Sequence, residues 1–179
     1  MFGLFQLSFY ERTPASANAG PLVWPGLGLP RGAGHTLVVS IHPQCPCTRA
    51  TVEELAVINT HCPSLHMDLL FIKPQGMRDS WLKSDTWSKA QKFPRCSVIA
   101  DEDGHLSAAM HALSSGQANL YDPRGHLIYS GGITAGRGHV GDNAGVESIL
   151  ALANGNRAEQ NRRPVFGCPL FAPSSCKGR

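Results

Sequence analysis

The sequence predicts an α/β domain whose sheet is parallel in its first half and antiparallel in its second. Three observations carry that prediction. Short β-branched or apolar runs alternate with helix-patterned segments through residue 114. A Pro/Gly turn, Asp122-Pro123-Arg124-Gly125, then joins two apolar runs in "QANLYDPRGHLIYSGG" (117–132), as in a hairpin. There are no internal repeats, and 179 residues fit one domain with a full core.

Taken in order, residues 1–34 form an N-terminal apolar segment and linker. "MFGLFQLSFYERTP" opens apolar but is too short for a bilayer span of about 20 residues, and it lacks the basic start of a signal peptide. It reads either as the end of an anchor or as an arm packed on the domain. Residues 13–34, rich in Pro, Gly and Ala, read as a linker wrapping onto the domain. The domain proper is expected over 35–154. "HTLVVSIH" (35–42) has the continuous apolar character of a strand buried on both faces. "TRATVEELAVINTH" (48–61) places Val52, Leu55, Ala56 and Ile58 on one helical stripe, with Arg49, Glu53 and Glu54 outward. "HMDLLFIKP" (66–74) is a second strand. "MRDSWLKSDTWSKAQKF" (77–93) reads as one amphipathic helix with Trp81 and Trp87 in or near the core. "CSVIA" (96–100) is a third strand, followed by a turn or cap at Asp101, Glu102 and Asp103 and a helix over 105–114. The glycine-rich loop 131–145 leads to a last helix over 145–154, N-capped by Asp142 or Asn143. In the tail, 155–179, one apolar island, "PVFGCPLFAP" (164–173), is expected to dock on the domain.

Charge excludes little. A net charge of +3 with scattered basic residues gives no nucleic-acid surface, and the basic tail (Arg157, Arg162, Arg163, Lys177, Arg179) reads as solvated. Six cysteines are too few for a disulfide scaffold of this length and more than a reducing compartment needs. The count therefore favours an oxidising compartment.

The chemistry centres on "HPQCPCTRA" (42–50), at a strand-to-helix junction. Cys45 is expected at the helix start, with Pro46 at the first helical position, where its missing N–H costs nothing. Free backbone N–H groups and the helix dipole favour a thiolate there. Three chemistries remain open. Cys45 and Cys47 form a redox pair, although a bridge across Pro46 closes a small strained ring. Alternatively, with His42 or Cys168 as third ligand, they hold Cu(I) or Zn(II). Thirdly, Cys45 acts as a single thiol with the Thr48 hydroxyl as helper. Chain topology brings loop 131–142, with Arg137 and His139, beside Cys45 to tune the thiol or bind an anionic substrate. If the island docks at the same end, Cys168 becomes a resolving thiol. Cys62 and Cys96 read as apolar fillers or a structural pair, and Cys176 as a loose tail thiol. The remaining histidines, His61, His66, His105, His111 and His126, have no ligand spacing.

The cysteine motif and "ANLYDPRGHLIYSGG" resemble thioredoxin-fold proteins, the hairpin being similar to that of membrane-anchored thioredoxins of the TlpA/ResA type. "HPQCPCTRA", "SSGQANLYD", "GGITAGRGHVGDNAG" and "VFGCPL" further resemble the bacterial RedB-like group. The resemblance covers about His35 to Asn154 and implies a three-layer α/β/α sandwich around a mixed sheet. It implies a thiol-disulfide oxidoreductase with no organic cofactor, acting as a monomer on protein thiol or disulfide partners in the periplasm. It also implies a membrane anchor at the N-terminus. Laid on the family's C-x-x-C pattern, Cys45 takes the nucleophilic position and Thr48 the resolving one. The substrate-docking proline falls near Ser115 and Gly116, so those two residues with Pro46 are the expected docking backbone. A Cys-x-x-Thr pattern also resembles thiol peroxidases of the glutathione-peroxidase type. Copper-delivery proteins of the Sco type share the fold with a Cys-x-x-x-Cys spacing.

Overall fold

The computed structural model describes residues 10–171. The opening apolar residues 1–9, Cys176, Lys177, Arg179 and the end of the 164–173 island lie outside the described residues.

Strand β1 (Thr36–Ile41) is buried at every position, its apolar residues joined by the buried hydroxyls of Thr36 and Ser40. It pairs in parallel with β2 (His66–Lys73), and β2 in parallel with β3 (Cys96–Glu102). On its other side β1 pairs antiparallel with β4 (Gln117–Tyr121), which forms a hairpin with β5 (Leu127–Gly132). The tail adds a two-residue strand, β6 (Arg162–Arg163), parallel to β5 and absent from the sequence reading. The sheet order is β3-β2-β1-β4-β5-β6.

Alternation along β1 and β2 supplies both faces. Leu37, Val39, Ile41, Met67, Leu69 and Phe71 join one core cluster with Leu55 and Ile58 of helix α1 (Thr48–His61) and Val146 and Ile149 of helix α4 (Ala144–Ala153). Val38 and Leu70 point the other way, onto Met110, Tyr121 and Leu29. That second face is closed by helix α3 (His105–Ala109) and by the 13–34 segment. The segment is tied down along its length. Ser16, Asn18, Ala19 and Pro21 offer carbonyls to Ser114, Gln117, His111 and Tyr121, and Trp24 packs edge-on against Tyr121 at 5.2 Å.

Two expected helices are shorter than their patterns. The 77–93 stretch divides into a 3-10 turn (Asp79–Trp81) and helix α2 (Asp85–Ala90). Ser84 divides them: it is extended, and its hydroxyl accepts from the Trp87 N–H at 3.2 Å, a better N-cap than a helix interior residue. Trp87 packs at 5.0 Å on Phe71, as its near-core assignment anticipates. The 105–114 helix stops at Ala109, because His111 takes φ 56° to swing the chain into β4. At its start the buried Asp101 carboxylate accepts from Leu106 and Ser107 N–H groups at 2.8 and 2.9 Å, the cap expected of this acidic cluster. Glu54 is buried instead of outward-facing, for a reason that belongs to the site below. Cys62 and Cys96 are free thiols packed in the main cluster, so filler and not a bridge is their role; burial pushes the Cys96 thiol up to about 12. Histidines 61, 66 and 126 each hold a local hydrogen bond, with Val57, Asp68 and Asp122 respectively, and His111 holds the one to Ala19 described above.

Asn143 caps α4, accepting from the Val146 N–H at 2.9 Å. Asn143→Ala is expected to cost about 1 kcal/mol, read as a lower urea midpoint at unchanged m-value, whereas Asp142→Ala leaves stability within about 0.5 kcal/mol.

Candidate thiol site

The cysteine turn is built by backbone bonds. Leaving β1, the Cys45 N–H donates to the His42 carbonyl at 3.1 Å, and the Thr48 N–H donates to the Cys45 carbonyl at 3.0 Å. Helix α1 therefore begins at Thr48, with Cys47 in the N-cap position and Pro46 in the turn before it. This corrects the expectation that Pro46 opens the helix: Cys45 stands two residues ahead of the cap. Both cysteines are buried, at 5% and 7% exposure.

Thr48 is fully buried, and its hydroxyl donates to the His42 carbonyl at 2.8 Å, with Ser115 Oγ at 3.3 Å. These bonds lock the turn through its hydroxyl. His42 is likewise structural. Its N–H donates to Ser115 Oγ, its Nδ1 accepts from Gln44 N–H at 3.2 Å, and its ring meets Trp81 edge-on at 5.9 Å. Burial lowers the His42 pKa. Among the described residues it is not part of the sulfur cluster.

Ser115 and Gly116 do sit beside the turn. Gly116 N–H donates to the Ser40 carbonyl at 2.8 Å, and its φ of +86° explains the glycine. Their free edge is taken by the tail. The Ser115 N–H donates to the Cys168 carbonyl at 2.8 Å, and Leu170 N–H donates to the Leu113 carbonyl at 2.9 Å. Ser114 and Pro169 form an antiparallel bridge. Leu170 is buried against Ile72 and Ala112, with Phe171 packed alongside. The apolar island docks because it adds strand pairing and a small apolar cluster at once. Its docking brings Cys168 to the cysteine turn. The sulfurs of Cys45, Cys47 and Cys168 all lie within 4.8 Å of one another.

The glycine-rich loop closes the other side. Its Gly141 N–H donates to the buried Glu54 carboxylate at 2.7 Å, which is why Glu54 faces inward. Arg137 N–H donates to the Glu11 carbonyl at 3.0 Å, and the guanidinium lies 4.7 Å from the Tyr10 ring centroid. Arg137 Nη1 also donates to the Gly167 carbonyl, tying loop to tail. His139, expected beside the thiols with Arg137, is exposed instead, with Nδ1 3.1 Å from the Arg137 carbonyl of its own loop.

Electrostatics act on two of the thiols, Cys47 and Cys168. Burial, then proximity and hydrogen bonding to Cys45, raises the Cys47 thiol, while Arg137 opposes the rise. Burial and hydrogen bonding to Cys45 push Cys168 up to about 12, again opposed by Arg137. Cys47 and Cys168 thus remain protonated donors facing Cys45 at neutral pH. Sequence reasoning missed Glu54, Tyr10 and Gly167 as parts of this site. Only Gly167, beside a cysteine in an apolar island, left a visible signal.

No protein-family model and no curated protein matches the chain. Solved structures do. An uncharacterized conserved protein from Geobacillus kaustophilus aligns over 92% of this chain and 93% of its own, at 18% identity and TM-score 0.64. A hypothetical protein from Sinorhizobium meliloti 1021 aligns over 87% and 95%, at 18% identity and TM-score 0.59. These two share the fold of this chain. Its parallel β1-α1-β2 crossover, antiparallel β4-β5 hairpin and closing helix α4 decide which fold that is. The fold is thioredoxin-like. Helices on both faces of the mixed sheet give the three-layer sandwich that the sequence resemblance implied. A secreted Mycobacterium tuberculosis disulfide oxidoreductase homologous to E. coli DsbE also aligns, over 68% of this chain and 83% of its own, at 12% identity and TM-score 0.49.

Proposed function

We propose that the protein is a thiol-disulfide oxidoreductase in which Cys45 is the nucleophile and Cys168 the resolving thiol. The observation that carries this reading is the gathering of three sulfurs within 4.8 Å, one of them delivered by the docked tail. Cys45 is the sulfur that both other thiols face, each hydrogen-bonded to it. In the proposed cycle the Cys45 thiolate attacks a substrate disulfide. A mixed disulfide forms, and the first substrate sulfur leaves and takes up a proton. Cys168 then loses its proton and attacks the Cys45 sulfur, expelling the second substrate sulfur as a thiol. The substrate gains two electrons and the enzyme ends with a Cys45–Cys168 bridge, which a dithiol partner reduces. Every step runs equally in reverse.

Cys168 suits the resolving role better than Cys47. A Cys45–Cys47 bridge must close across Pro46, whereas the tail sits on a separate segment free to adjust its sulfur. Partners are protein thiols or disulfides, no organic cofactor takes part, and the chain acts as a monomer. The cysteine count supports a location outside the cytoplasm. Among the described residues no helix is long and apolar enough to cross a membrane.

Mapping the thiols tests the reading. Protein exposed to mild oxidant, alkylated before and after reduction and digested, is expected to yield a reducible Cys45–Cys168 peptide pair. Recovery of both as free thiols would sink the proposal.

A further inference from the structure

We infer that the fully reduced site binds one Cu(I) ion through Cys45, Cys47 and Cys168 in a three-sulfur shell. A metal about 2.3 Å from each of three sulfurs in one plane holds them about 4 Å apart. All three sulfurs here already lie within 4.8 Å of one another, so small side-chain rotations complete the shell. Such a site needs no rearrangement of the backbone, because the cysteine turn and the tail are each fixed by their own hydrogen bonds.

The donor set selects the ion. Thiolates favour Cu(I) and Zn(II), but zinc sites are almost always four-coordinate. Among the described residues no histidine or carboxylate joins the three cysteines. His42, the nearest imidazole in sequence, commits Nδ1 to Gln44 and its ring to Trp81. Cys45 and Cys47 are buried, leaving little access for a water as fourth ligand. Three soft donors without a fourth satisfy Cu(I) and leave Zn(II) short. Charge agrees. Three thiolates around Cu(I) carry a net charge of about −2, and burial of that charge needs a cation nearby. Arg137 acts on both Cys47 and Cys168 and is fastened to the tail through the Gly167 carbonyl. Binding transfers no electron: each coordinating thiol gives its proton to solvent. The inference stands apart from disulfide exchange, since it requires only reduced thiols. A Cys45–Cys168 bridge would remove two ligands, so oxidation and copper binding exclude one another.

The test titrates the full chain, reduced and under argon, with Cu(I) against a chromogenic Cu(I) chelator. One ion per chain is expected, with X-ray absorption reading three sulfur scatterers and no nitrogen or oxygen. Cys47→Ser and Cys168→Ser are each expected to weaken binding at least about tenfold, a loss that even outer-shell partners of a metal site cause. Both should leave two sulfurs in the shell, while His42→Ala changes neither number. A nitrogen scatterer, undiminished binding in Cys168→Ser, or displacement of Cu(I) by equimolar Zn(II) would overturn the inference. Cys47→Ser separates the two proposals, because it keeps the sulfurs of the Cys45–Cys168 bridge and loses a copper ligand.

Discussion

Replacing Cys168 by serine is expected to slow turnover of a protein disulfide about a hundredfold, because a thiol held beside the mixed disulfide is replaced by one that must diffuse in. The first step should survive. Cys45 keeps its turn, its burial and its neighbour Cys47, and a serine hydroxyl can take the place of the Cys168 donor. The variant should therefore accumulate a mixed disulfide at Cys45, visible as substrate mass added to the intact protein and removed by dithiothreitol. Cys47→Ser is the matched control. It deletes a thiol that burial holds protonated and that reaches Cys45 only across Pro46, so turnover should stay within about threefold of the parent, below 1 kcal/mol in barrier. Cys45→Ser should abolish both steps. A reversed pattern, with Cys47→Ser stalled and Cys168→Ser active, would move the resolving role to Cys47 and leave the tail as a cover.

The contrast between those cysteines illustrates what was legible in the chain. The sheet was, because β1 and β2 are buried along their length and their apolar runs, like that of the half-buried edge strand β3, advertise it. The hairpin was, because Asp122-Pro123-Arg124-Gly125 has the chemistry of a turn. Helix length was not. Ser84 and His111 end helical patterns through a side-chain cap and a positive φ, each serving a tertiary demand that periodicity does not encode. At the site, the docking of the tail could be read from Val165, Phe166, Leu170 and Phe171 clustering in a polar stretch. Ser115 was read as docking backbone, but nothing in the sequence showed that its N–H takes the Cys168 carbonyl or that the Gly167 carbonyl takes Arg137. Glu54 fell on the outward side of a helical wheel, yet one backbone N–H of the glycine loop was enough to bury it. Thr48 was read as a helper donor from its spacing, and its hydroxyl goes to the His42 carbonyl, which also accepts from the Cys45 N–H. Residues that act through side-chain periodicity were readable; those that act through one hydrogen bond to distant backbone were not.

The seating of the tail depends on Gly167. A Cβ built there would overlap the Ser115 carbonyl oxygen, so the glycine is required by close approach and not by its backbone angles. Two backbone hydrogen bonds, at about 0.5–1.5 kcal/mol each, the charged Arg137 bond to the Gly167 carbonyl, at about 1.5–3 kcal/mol, and burial of Leu170, at about 1.5–3 kcal/mol, hold the segment before its ordering entropy is subtracted. The net docking energy is therefore small. Forcing a valine into that contact costs about 1–3 kcal/mol, enough to undock the segment for much of the time. Gly167→Val is accordingly expected to expose Cys168 to iodoacetamide at least about tenfold faster than in the parent, and the yield of the Cys45–Cys168 bridge should fall in parallel. Global stability should barely move, since the clusters around Leu37 and Val38 contain no residue beyond 165. Leu170→Ala, which removes the apolar anchor without a clash, should shift alkylation in the same direction. Parent-like protection of Cys168 in both variants would mean that the tail is held by contacts other than these. Protection lost together with a large fall in melting temperature would mean that the tail belongs to the core. Exposure of Cys168 with the fold intact is the outcome that makes the tail a movable thiol carrier, able to leave Cys45 open to a substrate and return to resolve it.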